Sequence, residues 1–115
     1  MSRTILLLHG LGGSAEDWKE VVAALPKGLL ALALDFPGFG KAARPHDSYD
    51  PVALARWVVG ELDDREVETA VVAGHSIGGR VAAELALLAP KRVAALALVS
   101  PLGAVSYGFT ETLKW

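Results

Sequence analysis

Four short apolar runs, at residues 4–8, 29–34, 69–73 and 93–99, are separated by stretches whose apolar residues recur at helical spacing. Each run is apolar on consecutive positions rather than on alternate ones, as expected of strands covered on both faces. Runs of this kind alternating with helices are the pattern of βα units joined into a mostly parallel sheet. The expected fold class is therefore α/β, a three-layer arrangement in which a mostly parallel four-stranded sheet is flanked by helices.

The intervening segments carry their own start and stop signals. Ser14, with Asp17 three residues on, reads as an N-cap close to a capping box. Trp18, Val21, Val22 and Leu25 follow at i, i+3, i+4 and i+7, one face directed at the sheet, before Pro26 and Gly28 end the helix. Asp50-Pro51 supplies an N-cap and first helical residue for a second helix, which points Leu54, Trp57, Val58 and Leu62 inward. A third helix, from Ile77 to Ala89 before Pro90, is apolar almost all round and is expected to be buried in the middle of a domain.

Length and composition narrow the function classes. A chain of 115 residues favours one domain. With 52% hydrophobic and 21% charged residues it can build a core. Its net charge of −2 and lack of a basic cluster argue against a nucleic-acid partner. The absence of cysteine removes disulfides and thiolate metal sites, and nothing in the pattern asks for a cofactor. No apolar run approaches the roughly 20 residues of a membrane span. The apolar stretch at the N-terminus is too short for a signal sequence. The expectation is a soluble, cytoplasmic protein with a small-molecule substrate and neither a membrane nor a nucleic-acid partner.

The third apolar run leads directly into Gly74-His75-Ser76-Ile77-Gly78-Gly79 and then into the third helix. A G-x-S-x-G pattern between a strand and a helix is the arrangement that holds a nucleophilic serine on a sharp turn. Gly74 and Gly78 leave room for that turn, so the Ser76 hydroxyl projects above the sheet edge. The backbone N–H of Ile77, at the helix N-terminus, then points where an oxyanion would form. A second donor is expected from the loop after the first strand, His9-Gly10-Leu11-Gly12-Gly13, whose glycines let amides face a ligand; the N–H of Leu11 is the candidate.

With these motifs in this order, the sequence resembles the α/β-hydrolase superfamily. "HGLGGSAEDW" matches its oxyanion loop, "DFPGFGK" the turn after the next strand, "GHSIGG" the nucleophile elbow, and "VAALALVSP" the strand after the elbow helix. The resemblance covers residues 4 to about 103. It implies the strand order second–first–third–fourth, Ser76 as nucleophile, and the amides of Leu11 and Ile77 as the oxyanion hole. The activity it implies is hydrolysis of a carboxylic ester or related acyl bond through an acyl-Ser76 intermediate. Ala42 stands where many members carry Ser, a departure without catalytic consequence.

A larger departure concerns the proton. In this family the triad runs Ser, then Asp or Glu, then His. After Ser76 this chain has no Asp and no His, only Glu84, mid-helix, and Glu111. The resemblance therefore covers the N-terminal half of the fold: residues 1–103 are expected to form a partial, truncated α/β-hydrolase core, and residues 104–115 the start of a cap segment or tail. The fourth strand, without Lys or Pro to blunt it, is expected to support self-association through residues 93–99.

Other residues have weaker claims on the site. His9 ends the first strand and in the family supports the oxyanion loop, with Gly10 beside it; it is also the upstream histidine nearest to acting as a base. His75 is expected to pack behind the elbow, and His46 to be solvated on the long 35–50 connection. Asp17 and Asp35 are polar candidates at the same sheet end. Arg80 is either a surface cation or a clamp for a substrate carboxylate, the latter suiting a lyase or acyltransferase on the same scaffold. A different class is a dinucleotide-binding module: Gly10-Leu11-Gly12-Gly13-Ser14-Ala15 fits G-x-G-x-x-A after a strand, with Asp35 near the ribose-binding offset.

Overall fold

The computed structural model describes residues 3–41 and 49–101. Four strands, β1 (Arg3–Leu8), β2 (Leu29–Leu34), β3 (Ala70–His75) and β4 (Val93–Val99), form one parallel sheet in the order β2-β1-β3-β4. This is the α/β class and the strand order expected from the sequence. β3 runs two residues beyond the expected end, because Gly74 and His75 still pair with Leu98 and Val99 before the chain bends.

Side chains alternate across each strand, and the two sets meet different partners. Leu6, Leu8, Leu34 and Val72 face helices α2 (Pro51–Asp64) and α3 (Ile77–Leu88), forming the main core with Leu54, Val58, Leu62, Val81 and Leu85. Each such side chain contributes about 1.5–3 kcal/mol by leaving water. Ala55, in the same stripe of α2, is also fully buried, whereas Trp57 packs at the edge of the core half-exposed. α2 opens as its sequence suggests, with the Asp50 carbonyl accepting from Leu54 N–H and Pro51 at the first helical position. On the other face, Leu7 and Ala73 meet Trp18, flanked by Ile5 and Ala33.

Two expectations about the helices need correcting. Residues Ala15–Trp18 form a 3-10 turn, and the α-helix proper, α1, spans only Lys19–Ala24. Trp18 is buried as expected at 8% exposure, but Val21 is 42% exposed and Val22 also faces outward. A 3-10 turn advances each residue by more than an α-helix does, so the stripe drawn with a single 3.6-residue period rotates off the sheet. α3 is buried on one face only. Val81, Ala82 and Leu85 pack inward, whereas Leu87 is 79% exposed. The strand β4 lies at one sheet edge with Leu96, Leu98 and Val99 exposed. No helix among the described residues is long and apolar enough to cross a membrane. Residues 102–115, and with them the expected cap segment, lie outside the described residues, as does His46.

Candidate active site

Ser76 sits between β3 and α3 with φ 57° and ψ −119°. A non-glycine residue in this region costs about 1–3 kcal/mol and persists only where its surroundings enforce it. The enforcement is visible in the backbone. Ser76 N–H donates to the Val99 carbonyl at 3.1 Å, and the Ser76 carbonyl accepts from Arg80 N–H at 3.1 Å as the first bond of α3.

The flanking glycines are demanded by close approach rather than by their own dihedrals. A Cβ on Gly74 would stand 2.2 Å from the Gly78 carbonyl oxygen, and one on Gly78 would stand 2.3 Å from the Leu8 oxygen and 2.5 Å from the His9 oxygen. At Gly79 it would meet the Pro101 side chain at 2.8 Å. The start of α3 is thereby pressed onto the ends of β1 and β3. Ile77, the first helical residue, has no carbonyl one turn back within the helix for its N–H.

The loop after β1 leans against this bend. A Cβ on Gly10 would be 3.4 Å from the Ser76 Cβ and 3.1 Å from His75 Nδ1. His9, 1% exposed, holds the loop in place. Its Nε2 accepts from Phe36 N–H at 2.9 Å, which leaves the proton on Nδ1 to donate to the Gly10 carbonyl at 2.7 Å. The same carbonyl accepts from Gly13 N–H at 3.0 Å, closing the turn that carries Leu11 at its tip. With both ring nitrogens engaged, His9 has no lone pair to offer Ser76. It is a support for the loop, and the idea of it as a base falls. His75, expected behind the elbow, is instead exposed beside Gly10, at the last position of β3 on the face that Ala73 shares with Trp18.

Asp35 does more than the sequence suggested. Its carboxylate accepts from Ala15 N–H at 2.7 Å and from Lys41 N–H at 3.0 Å, tying the start of the 3-10 turn to the loop after β2. The Ala15 hydrogen bond is the largest influence lowering its pKa below the usual carboxylate value, with partial burial opposing it and the Lys41 N–H assisting. Gly40, at φ +54°, leaves space for this carboxylate, since a Cβ there would lie 2.2 Å from Oδ1. Asp17 completes the capping box by accepting from Ser14 N–H at 3.2 Å. A dinucleotide pyrophosphate would need the helix start that Asp35 already occupies with a negative charge, so the geometry argues against that alternative. Arg80 pairs with Glu84 on the same face of α3, N–O distance 2.9 Å, rather than standing free as a clamp.

Between the elbow and the loop lies a cavity of about 210 Å³. Ser76, Ile77, Gly10 and Leu11 form one side of it. Phe36, Phe39, Tyr49 and Leu54, with His9, complete the lining. These four were not singled out as site residues from the sequence. The signal that marks them is the aromatic spacing of "DFPGFG" and a tyrosine opening the second helix. No group of His, Asp and Glu among the described residues could hold a metal ion.

A strained serine above a parallel sheet, glycines pressed between strand and helix, and an amide-bearing loop beside it form a recognisable arrangement, and comparison with known proteins agrees with it. The family described as alpha/beta hydrolase fold matches residues 3–115. Over 113 residues the chain is 40% identical to the dihydrolipoyllysine-residue acetyltransferase component of the acetoin cleaving system of Cupriavidus necator, covering 96% of this chain and 30% of that protein. It is 36% identical over 113 residues to a 2-hydroxymuconate semialdehyde hydrolase of Pseudomonas sp. (strain CF600), covering 95% of this chain and 40% of that one. Among solved structures, 2-hydroxy-6-oxo-6-phenylhexa-2,4-dienoate hydrolase from Rhodococcus superposes with a TM-score of 0.80 at 28% identity, over 93% of this chain and 41% of that one. The chain thus spans between 30% and 40% of the length of these two curated relatives. It belongs to the α/β-hydrolase fold family.

Proposed function

We propose that this chain carries the nucleophile and oxyanion half of a serine hydrolase that cleaves a carboxylic ester or related acyl bond. The Ser76 oxygen attacks the acyl carbon; its proton passes to a triad histidine, which no residue after Ser76 in this sequence supplies, and that histidine returns it to the leaving group as the bond to the acyl carbon breaks, giving an acyl-Ser76 intermediate. Water then releases the acid. The negative charge that builds on the carbonyl oxygen is met by the N–H groups of Leu11 and Ile77, fixed in advance of the reaction. The observation that carries this reading is the strained Ser76 backbone in the lining of a cavity shared with Leu11 and Ile77.

A fluorophosphonate probe followed by peptide mass spectrometry tests it. Modification is expected at Ser76 and should vanish in Ser76→Ala. Modification elsewhere, or none at Ser76, would overturn the assignment. The likeness to an acetyltransferase component favours a second reading, in which acyl-Ser76 passes to an acceptor other than water. Acyl release in buffer alone separates the two.

A further inference from the structure

The cavity beside Ser76 carries information about the group that fills it. The wall it adds to the elbow and the loop after β1 consists of Phe36, Phe39, Tyr49 and Leu54. The rings lock one another edge-on: Phe39 meets Tyr49 with centroids 5.9 Å apart, and Phe36 meets His9 at 4.8 Å. The polar atoms of this wall are already satisfied. Tyr49 donates its hydroxyl to the Pro37 carbonyl, and both nitrogens of His9 are bonded to backbone. Of the charged groups nearby, Arg80 is paired with Glu84 and the Asp35 carboxylate accepts from two backbone amides. Among the described residues that line the cavity none presents an unbonded charged group, so a charge placed against them would lose its water and gain no counter-ion from the lining, a large penalty.

Size gives the second constraint. An apolar cavity of about 150 Å³ lined by aliphatic and aromatic side chains stays dry and admits benzene. The 210 Å³ here therefore accepts a phenyl ring with a small substituent, or an aliphatic group of similar bulk. Resting on the acyl-Ser76 reading above, we propose that the site selects an uncharged aryl or compact branched acyl group, and rejects acyl groups with a second carboxylate at the far end.

Two ligands of one scaffold test this without requiring Ser76 to react. p-Toluate and terephthalate each present one carboxylate to the amides of Leu11 and Ile77, and differ at the far end by a methyl or a carboxylate. In titrations of the full chain followed by amide NMR shifts, p-toluate should bind saturably, with shifts at Gly10, Ser76 and Ile77. Terephthalate should bind at least tenfold more weakly. Phe39→Ala should move the preference at least fivefold from p-toluate toward 4-tert-butylbenzoate; Phe39→Leu is the milder variant if the first unfolds. Equal or tighter binding of terephthalate, no binding of p-toluate, or an unmoved preference in the folded Phe39 variant would overturn the proposal. If the ring preference holds and Ser76 is not labelled by the fluorophosphonate, the nucleophile reading fails alone. If Ser76 is labelled and the preference is reversed, the pocket assignment fails alone.

Discussion

Replacing Gly78 by alanine adds one methyl group at the tightest junction of the site. Built on the native backbone, that methyl would stand 2.3 Å from the Leu8 oxygen and 2.5 Å from the His9 oxygen, and ordinary contact begins near 3.4 Å. Both obstacles are main chain at the end of β1, which is hydrogen-bonded on both sides to β2 and β3, so neither can swing aside as a side-chain tip would. The N-terminus of α3 must therefore retreat by about 1 Å. Overpacking of this kind costs about 1–3 kcal/mol, whereas alanine in a helix returns at most about 1 kcal/mol over glycine. The collision outweighs the propensity gain, and the variant is expected to be less stable by up to about 2 kcal/mol net.

Gly60, in α2, supplies the control for the same substitution. Nothing lies within 4 Å of a Cβ there, so Gly60→Ala should stabilise by up to about 1 kcal/mol. Urea denaturation of both variants reads the opposite signs directly. The functional readout is larger than the stability one, because the retreat carries Ile77 and Ser76 away from Leu11. A misplacement of about 1 Å can reduce rate about a hundredfold, and fluorophosphonate labelling of folded Gly78→Ala should slow on that scale. A Gly78→Ala protein as stable as Gly60→Ala, or labelled at the parent rate, would refute the reasoning that backbone contact sets the elbow.

Two further substitutions probe the supports of the loop. His9→Ala leaves the buried Phe36 N–H without its acceptor and removes a ring packed on Phe36 and Phe39, a loss of about 2–4 kcal/mol by urea denaturation; a loss under about 1 kcal/mol would show that the loop does not depend on it. Asp35→Asn removes the charge from two hydrogen bonds at an expected cost of about 1.5–3 kcal/mol at neutral pH. Because the folded pKa of Asp35 is lowered, its contribution is present above the ordinary carboxylate range and lost as pH falls through the lowered value. The difference between parent and variant should therefore shrink on acidification below about pH 4, and a difference that is constant with pH would remove the carboxylate as its source.

What was legible in the sequence followed from local rules. Consecutive apolar residues marked the strands, and G-x-S-x-G between a strand and a helix placed Ser76 on the bend where it stands. Reading failed where a local rule met a change of geometry or a distant partner. The stripe through Val21 and Val22 presumed one helical period, and the 3-10 turn at Ala15–Trp18 broke it. Asp35 reads from the sequence as polar near the site, yet its role depends on Ala15, twenty residues earlier, and on a turn that returns Lys41 to the same carboxylate. Phe36, Phe39, Tyr49 and Leu54 converge only once the loop after β2 and the start of α2 are folded against β1. No spacing in the sequence states that convergence.

The energetics explain why the strained residue can be kept where it is useful. A positive φ at Ser76 costs about as much as one fully buried leucine contributes. Leu6, Leu8 and Leu85, each completely buried, lie on the very elements that meet at the bend. The strain is therefore offset locally, by β1 and α3 closing over a common core, and the glycines decide how closely they close. A larger residue at Gly74 or Gly78 would not remove the core. It would separate the two elements whose contact holds the hydroxyl and the amides in one place, so the site should fail while much of the fold survives.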